Sequence, residues 1–203
     1  MVIDKHTLGK ELKRWFAASV ILHDTIDFKD EAVFEEALTV FITDYNRYYE
    51  NSKEITQENV LTRTELVGIL LYRIARIYFL KQNEVIAQKY SLLGRFLSGF
   101  EIYYSAEIGK SLKINHGLGT VIGARVTIGD NALLHQNVTF GDRKGGRPQL
   151  KNNVTVYAGA KVLGKITIGN NSVLAANSVC LSDVPDNSTV AGIPARIINS
   201  KTN

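Results

Sequence analysis

The chain has 203 residues, is 45% hydrophobic and carries 24 basic against 20 acidic residues, for a formal net charge of +4. That length supports one sizeable core or two modest ones, and a basic excess this mild excludes the footprint of a nucleic-acid binder while suiting a small polyanion. A single cysteine rules out an internal disulfide, and no stretch reaches the ~18 uncharged apolar residues of a membrane span. The N-terminal "MVIDKHTLGKELKRWF" is charged throughout and lacks the apolar run of a signal peptide, so a soluble cytoplasmic protein is expected.

Up to about residue 99 the pattern is helical. "KELKRWFAASVILHD" places Leu12, Trp15, Phe16, Val20 and Ile21 on one face, and "FKDEAVFEEALTVFITDYNRYY" does the same with Val33, Phe34, Ala37, Leu38, Phe41 and Ile42. Asp30 and Glu31 fall in the first turn of the second helix, where the dipole favours acid. "TELVGILLYRIARIYFL" and "EVIAQKYSLLGRFLSGF" supply two more helices, with Thr64 a candidate cap for the first of these. Their apolar stripes read as helix packing, and His6 and His23 as structural or exposed helix residues.

From Ile102 the period changes to six. Ile102, Ile108 and Ile114 are followed, after a slip, by Ile122, Ile128, Leu134 and Phe140; beyond a polar excursion come Val156, Val162, Ile168, Leu174 and Cys180. A second, smaller series runs four places later, through Val126, Ala132, Val138, Val154 and Ala160. This is a hexapeptide repeat, the mark of a parallel β-helix. Each six-residue side is a short strand, three sides close a triangular coil, and coils stack at roughly 4.8 Å with the large aliphatic inside. Cys180 occupies a core phase and reads as a packed thiol.

The slip lies in "KINHGLGTVIG", where two extra residues and three glycines surround His116. Glu101 precedes His116 by nearly one coil, so both are expected at the same corner on adjacent coils. A carboxylate beside an imidazole is the minimal general-base pair, in which the acid orients the ring and supports its charged form. The plainer alternatives are a surface histidine in a glycine-rich loop and a solvated Glu101 at a domain junction. His135, after Leu134, reads as structural, with a place in a cleft between subunits as the alternative.

"INHGLGTVIG", "NVTFGDRKGGRPQL", "VYAGAKVLGKITIG" and "VAGIPARII" together resemble the bacterial serine O-acetyltransferases, and "LLYRIARIYFL" is more weakly similar to a helix of that family. The resemblance implies an α+β chain: an N-terminal all-helical domain over 1–99, then a left-handed parallel β-helix over 100–203 with an excursion loop near 142–153. It implies acetyl-CoA as co-substrate, no metal, and a homotrimer or a dimer of trimers. His116 matches the family's catalytic histidine and Glu101 its partner acid. Gly141 matches a backbone donor facing the thioester, Ala158 and Ala176 small residues along the pantetheine channel, and Arg196 a basic residue near the nucleotide end. Asn115 and Arg147 stand at substrate-binding positions.

Two departures matter. Asn115 is neutral where the family has an aspartate, and the shorter excursion ends in "GGRP", leaving Arg147 where the family has a histidine. The short tail after Arg196 implies no docking onto cysteine synthase. The neutral Asn115 weakens the fit to a free ammonium group, while Arg147 still suits a carboxylate; the resemblance as a whole implies an acetyl-CoA-dependent O-acetyltransferase acting on the hydroxyl of L-serine, in cysteine biosynthesis. The alternative is an O- or N-acetyltransferase acting on a sugar in polysaccharide biosynthesis. A zinc enzyme of the same fold would want three histidines, and the repeat region offers only His116 and His135. A catalytically silent scaffold is the remaining rival.

Overall fold

The structure, a computed structural model, describes Lys10, residues 30–49 and residues 55–200. Beyond Lys10, the first predicted helix lies outside the described residues, as do His6 and His23. The described helices are α1 (Glu31–Tyr49), α2 (Gln57–Leu61), α3 (Thr64–Leu80) and α4 (Glu84–Ser98). Asp30 caps α1 by accepting the Val33 N–H at 3.1 Å. The short α2 escaped the sequence pattern because it is a single capped turn, with Thr56 accepting the Asn59 N–H. It also displaces the expected cap of α3. Arg63, extended and without a side-chain cap bond, holds the N-cap position, and Thr64 is already helical. The last helix ends at Gly99, whose left-handed φ of 72° turns the chain into the strands.

From Glu101 the chain winds as a parallel β-solenoid of three faces. Face one stacks β1 (Glu101–Ile102), β4 (Val121–Ile122), β7 (Thr139–Gly141), β10 (Lys161–Leu163) and β13 (Val179–Cys180). Face two stacks β2 (Glu107–Ile108), β5 (Thr127–Ile128), β8 (Gln149–Leu150) and β11 (Thr167–Ile168). Face three stacks β3 (Lys113–Ile114), β6 (Leu133–Leu134), β9 (Thr155–Val156), β12 (Val173–Leu174) and β14 (Ser188–Gly192); β15 (Ala195–Ser200) folds back antiparallel on β14.

The six-beat is the inward residue of each strand, and all of these are buried. Leu150 fills the beat missing from the sequence series. The polar excursion is correspondingly short: Gln149 and Leu150 already pair with Thr127 and Ile128, so only 142–148 leave the coil.

One corner is held by side chains that the hydrophobic pattern does not register. Between faces two and three, Asp130, Asn152, Asn170 and Asp186 each accept a backbone N–H from the neighbouring coil, at 2.7 to 3.1 Å. Asn131, Asn153, Asn171 and Asn187 follow them, all with φ near +60°, a conformation asparagine tolerates better than most residues. Three of their amides join in a ladder, Asn153 to Asn171 and Asn171 to Asn187, at 2.9 and 2.8 Å.

A solenoid leaves the outer edge of its first coil unpaired, and here the helices cover it. The Tyr72 hydroxyl donates to Ala106 O at 2.9 Å and the Ser91 hydroxyl to Ile102 O at 2.9 Å. The Tyr48 hydroxyl meets both the N–H and the carbonyl of Ile114 at 2.8 Å. One apolar core runs without interruption from Val33 in α1 to Ala195 in β15.

Candidate active site

The slip is a bulge on the corner between faces three and one. Asn115 is still in register, its N–H donating to Leu134 O at 2.7 Å. Leu118 is back in register, its carbonyl accepting the Asn137 N–H at 2.9 Å. His116 and Gly117 have no counterpart on the next coil, so they must loop out. Gly117 turns back against the core with φ +22°, and a Cβ there would stand 2.5 Å from Phe100 Cδ1. His116, with φ 60°, is left exposed at the crest. Thr120 then returns the chain to the prism: its hydroxyl donates to His135 O at 3.0 Å and accepts the Val138 N–H at 3.2 Å.

Below the bulge the same corner carries Gln136, Ala158 and Ala176 one above another. The stacking is fixed by Gly159 N–H donating to Gln136 O and Asn177 N–H to Ala158 O. Ala158 is half-buried and Ala176 exposed. The edge is prolonged by the β14–β15 hairpin, where Arg196 pairs with Ala191 and is exposed. From the coil of β3 to that of β14 there are four steps, roughly 19 Å at the spacing of stacked strands. His116, Ala158, Ala176 and Arg196 thus share one edge.

Glu101 begins β1, its N–H bonded to Thr120 O at 2.9 Å, beside the segment that leaves the bulge. Its carboxylate, 30% exposed, lies 3.4 Å from Arg95 Nη1. It lines a cleft of about 210 Å³ between α4 and β1 with Ser91, Arg95 and Tyr103. Among the described residues this carboxylate meets Arg95, and no hydrogen bond joins it to the His116 ring as the sequence suggests.

Gly141 and Arg147 belong to a different corner, between faces one and two. Gly141 closes β7 opposite Leu163, and a Cβ there would meet nothing nearer than 3.5 Å, so packing within the chain does not demand glycine. Arg147 ties its loop to the preceding coil: Nε donates to Ala124 O at 3.0 Å, and Nη1 reaches Gly146 O and the Asp142 carboxylate within the loop. That guanidinium holds the Asp142 carboxyl below the usual range.

His135, for which the sequence suggests a structural role or a place in a cleft, lies close to His116. It lies one coil below Asn115, half-buried, with its ring stacked on Tyr157 at 5.0 Å between centroids. Burial, and then the nearby His116, push its pKa below the ordinary histidine value. The available signal was phase: Asn115, His135 and Tyr157 stand at the same step after successive inward residues of face three. Among the described residues no three His, Cys, Asp or Glu side chains converge as a metal site would require.

Comparison with known proteins is consistent across sequence and structure. The family model "Bacterial transferase hexapeptide (six repeats)" matches residues 147–182. The serine acetyltransferase of Bacillus pumilus is 43% identical over 145 residues, covering 70% of this chain and 67% of that protein. A Brucella melitensis structure described as a hexapeptide-repeat serine O-acetyltransferase superposes with a TM-score of 0.80 at 29% identity, covering 98% of this chain and 84% of the other. The Brucella abortus serine acetyltransferase in complex with coenzyme A shares the fold, with a TM-score of 0.78 at 23% identity over 98% of this chain and 96% of that one.

Proposed function

Because the chain belongs to the serine acetyltransferase family, we propose that it transfers the acetyl group of acetyl-CoA to the hydroxyl of L-serine. One observation carries the reading: the exposed imidazole of His116 crowns an edge lined below by Ala158 and Ala176 and closed by Arg196. An edge of small side chains admits a pantetheine arm, its length is comparable with that of the extended arm, and an arginine at its far end suits a phosphate.

In this reading His116 takes the proton of the serine hydroxyl as the oxygen attacks the thioester carbonyl. Such a base contributes about a hundredfold to ten-thousandfold. A backbone N–H at Gly141 meets the developing oxyanion, an effect of about 3 kcal/mol. Collapse of the tetrahedral species breaks the carbon–sulfur bond, and the CoA thiolate takes the proton back from the imidazolium. O-acetylserine and CoA leave, and no acetyl-enzyme forms. Glu101, beside the segment that leaves the bulge, supplies the negative charge that supports the imidazolium, and Asn115 flanks the acceptor.

Gly141 and Arg147 stand at one corner of the prism and His116 at another. A site that uses both draws them from two chains, which supports a homotrimer with acetyl-CoA lying between subunits. Residues 1–99 then form a helical domain and 100–203 the catalytic β-helix domain of a cytoplasmic enzyme in cysteine biosynthesis.

The test is CoA release from acetyl-CoA with L-serine and with a panel of sugars, using His116→Asn as control. Turnover of L-serine that the variant loses supports the reading. Turnover of sugars with silence on L-serine replaces it by a sugar acetyltransferase.

A further inference from the structure

Directly below His116 lies a group of polar side chains of which the mechanism above uses only Asn115. Asn115, His135 and Tyr157 occupy one position on three successive coils, since Asn115 N–H donates to Leu134 O and His135 N–H to Val156 O. The His135 and Tyr157 rings stack at 5.0 Å with planes 28° apart, and Tyr157 is 43% exposed. Beside them Gln136 Oε1 is buried and accepts no hydrogen bond among the described residues. A buried oxygen without a donor is costly, and native structures rarely keep one unless a ligand or water completes it. Neither the His135 ring nitrogens nor the Tyr157 hydroxyl has a recorded hydrogen-bond partner among the described residues.

We infer that His135, with Tyr157 stacked on it and Gln136 beside it, forms the subsite that holds the polar head group of the acceptor whose hydroxyl reaches His116. The inference rests on His116 being the base. The chemistry is that of uncharged partners: an imidazole with one donor and one acceptor, a phenol with one of each, and a carboxamide oxygen. For L-serine, the carboxylate accepts from the His135 ring N–H and the Tyr157 hydroxyl. Burial, and then the nearby His116, disfavour the charged form of the His135 ring, which suits it to act as a neutral hydrogen-bonding group. Arg147, the other side chain offered for substrate binding, is already engaged with Asp142, Gly146 and Ala124.

The experiment is steady-state kinetics of the full chain and of His135→Phe, which keeps the stack on Tyr157 but removes both ring nitrogens; His135→Gln and Tyr157→Phe are measured beside it. The inference expects the KM for L-serine to rise about tenfold in His135→Phe, the order expected for one lost hydrogen bond to a charged group. It expects kcat and the KM for acetyl-CoA to stay within about twofold, and His135→Gln to recover part of the loss. An unchanged KM for L-serine, or an equal rise for both substrates, overturns it. A changed sedimentation coefficient for His135→Phe also overturns it, in favour of an interface between copies. If the wild type ignores L-serine but turns over a sugar, the L-serine reading falls and the same split, measured with that sugar, decides the subsite. A wild type silent on both overturns the two together.

Discussion

Arg73 and Asp44 form a buried, two-pronged ion pair, Nε to Oδ2 at 2.9 Å and Nη2 to Oδ1 at 3.0 Å, with both side chains almost wholly shielded from solvent. The pair is also a splice between helices and solenoid. Arg73 donates to Ile108 O and Gly109 O, each at 2.7 Å, while Asp44 accepts the Leu112 N–H at 2.8 Å. Each charge satisfies backbone groups of the first coil that no earlier coil can pair, which offsets the cost of its burial.

Removing one partner should therefore be expensive. Arg73→Met leaves the buried Asp44 carboxyl without its partner and frees two carbonyls, and a loss of about 3–5 kcal/mol is expected. Urea unfolding measures it. Replacing Asp44 by Leu in the same chain should recover only part of that loss, because Leu112 N–H, Ile108 O and Gly109 O still lack partners.

His116 should separate activity from stability. His116→Asn keeps a residue that accepts φ near +60° and changes only an exposed side chain. Stability should stay within about 0.5 kcal/mol of the wild type. CoA release should fall by about a hundredfold to ten-thousandfold. Thermal denaturation and a thiol assay on one preparation read both, and full activity in the variant would remove the imidazole from the mechanism.

Ala176 tests the small-residue edge. Its side chain is exposed, so Ala176→Leu meets no packing penalty in the chain. A bulky group on the path of the pantetheine arm should raise the KM for acetyl-CoA about tenfold and leave that for L-serine unchanged, a steric loss of the size expected for a blocked contact. Equal kinetics for variant and wild type would move the arm elsewhere.

His135 also predicts a pH dependence of stability. Burial, and then its neighbour His116, depress its pKa in the folded chain below the ordinary 6.5; Tyr157 is the other titratable group facing the ring. As pH falls below 6.5 the unfolded chain takes up this proton first, so the folded state loses stability until the folded pKa has been passed. Above 6.5 the effect vanishes. The thermal midpoint of His135→Phe should gain on that of the wild type between pH 7 and 5, and a constant gap would contradict the depressed pKa.

Much of the fold could be read along the chain because its rule is local. The inward positions from Ile102 to Cys180 recur every six residues, and apolar identity at that phase is enough to recognise them. Leu150 was passed over because a polar loop hides its phase, and α2 because five residues carry no period. The Asn and Asp corner was likewise invisible to a hydrophobic pattern, since it works through side-chain bonds to a neighbouring coil. At the site, His116 stood out as the residue at the break in the rhythm. His135 did not, because its meaning depends on what is stacked above and below it.

The sequence by itself determined the three-sided coil and the slip at His116, because both follow from spacing along the chain, while Ala158 and Ala176 were marked only by the resemblance to a known family. Only the tertiary structure decided that Glu101 pairs with Arg95, that Arg147 is taken up by Asp142, Gly146 and Ala124, and that His135 joins Tyr157 beneath the bulge. Those are choices among partners distant in sequence. They are settled by which groups the stacked coils and the covering helices bring within hydrogen-bond reach, and nothing in the order of residues encodes that distance directly.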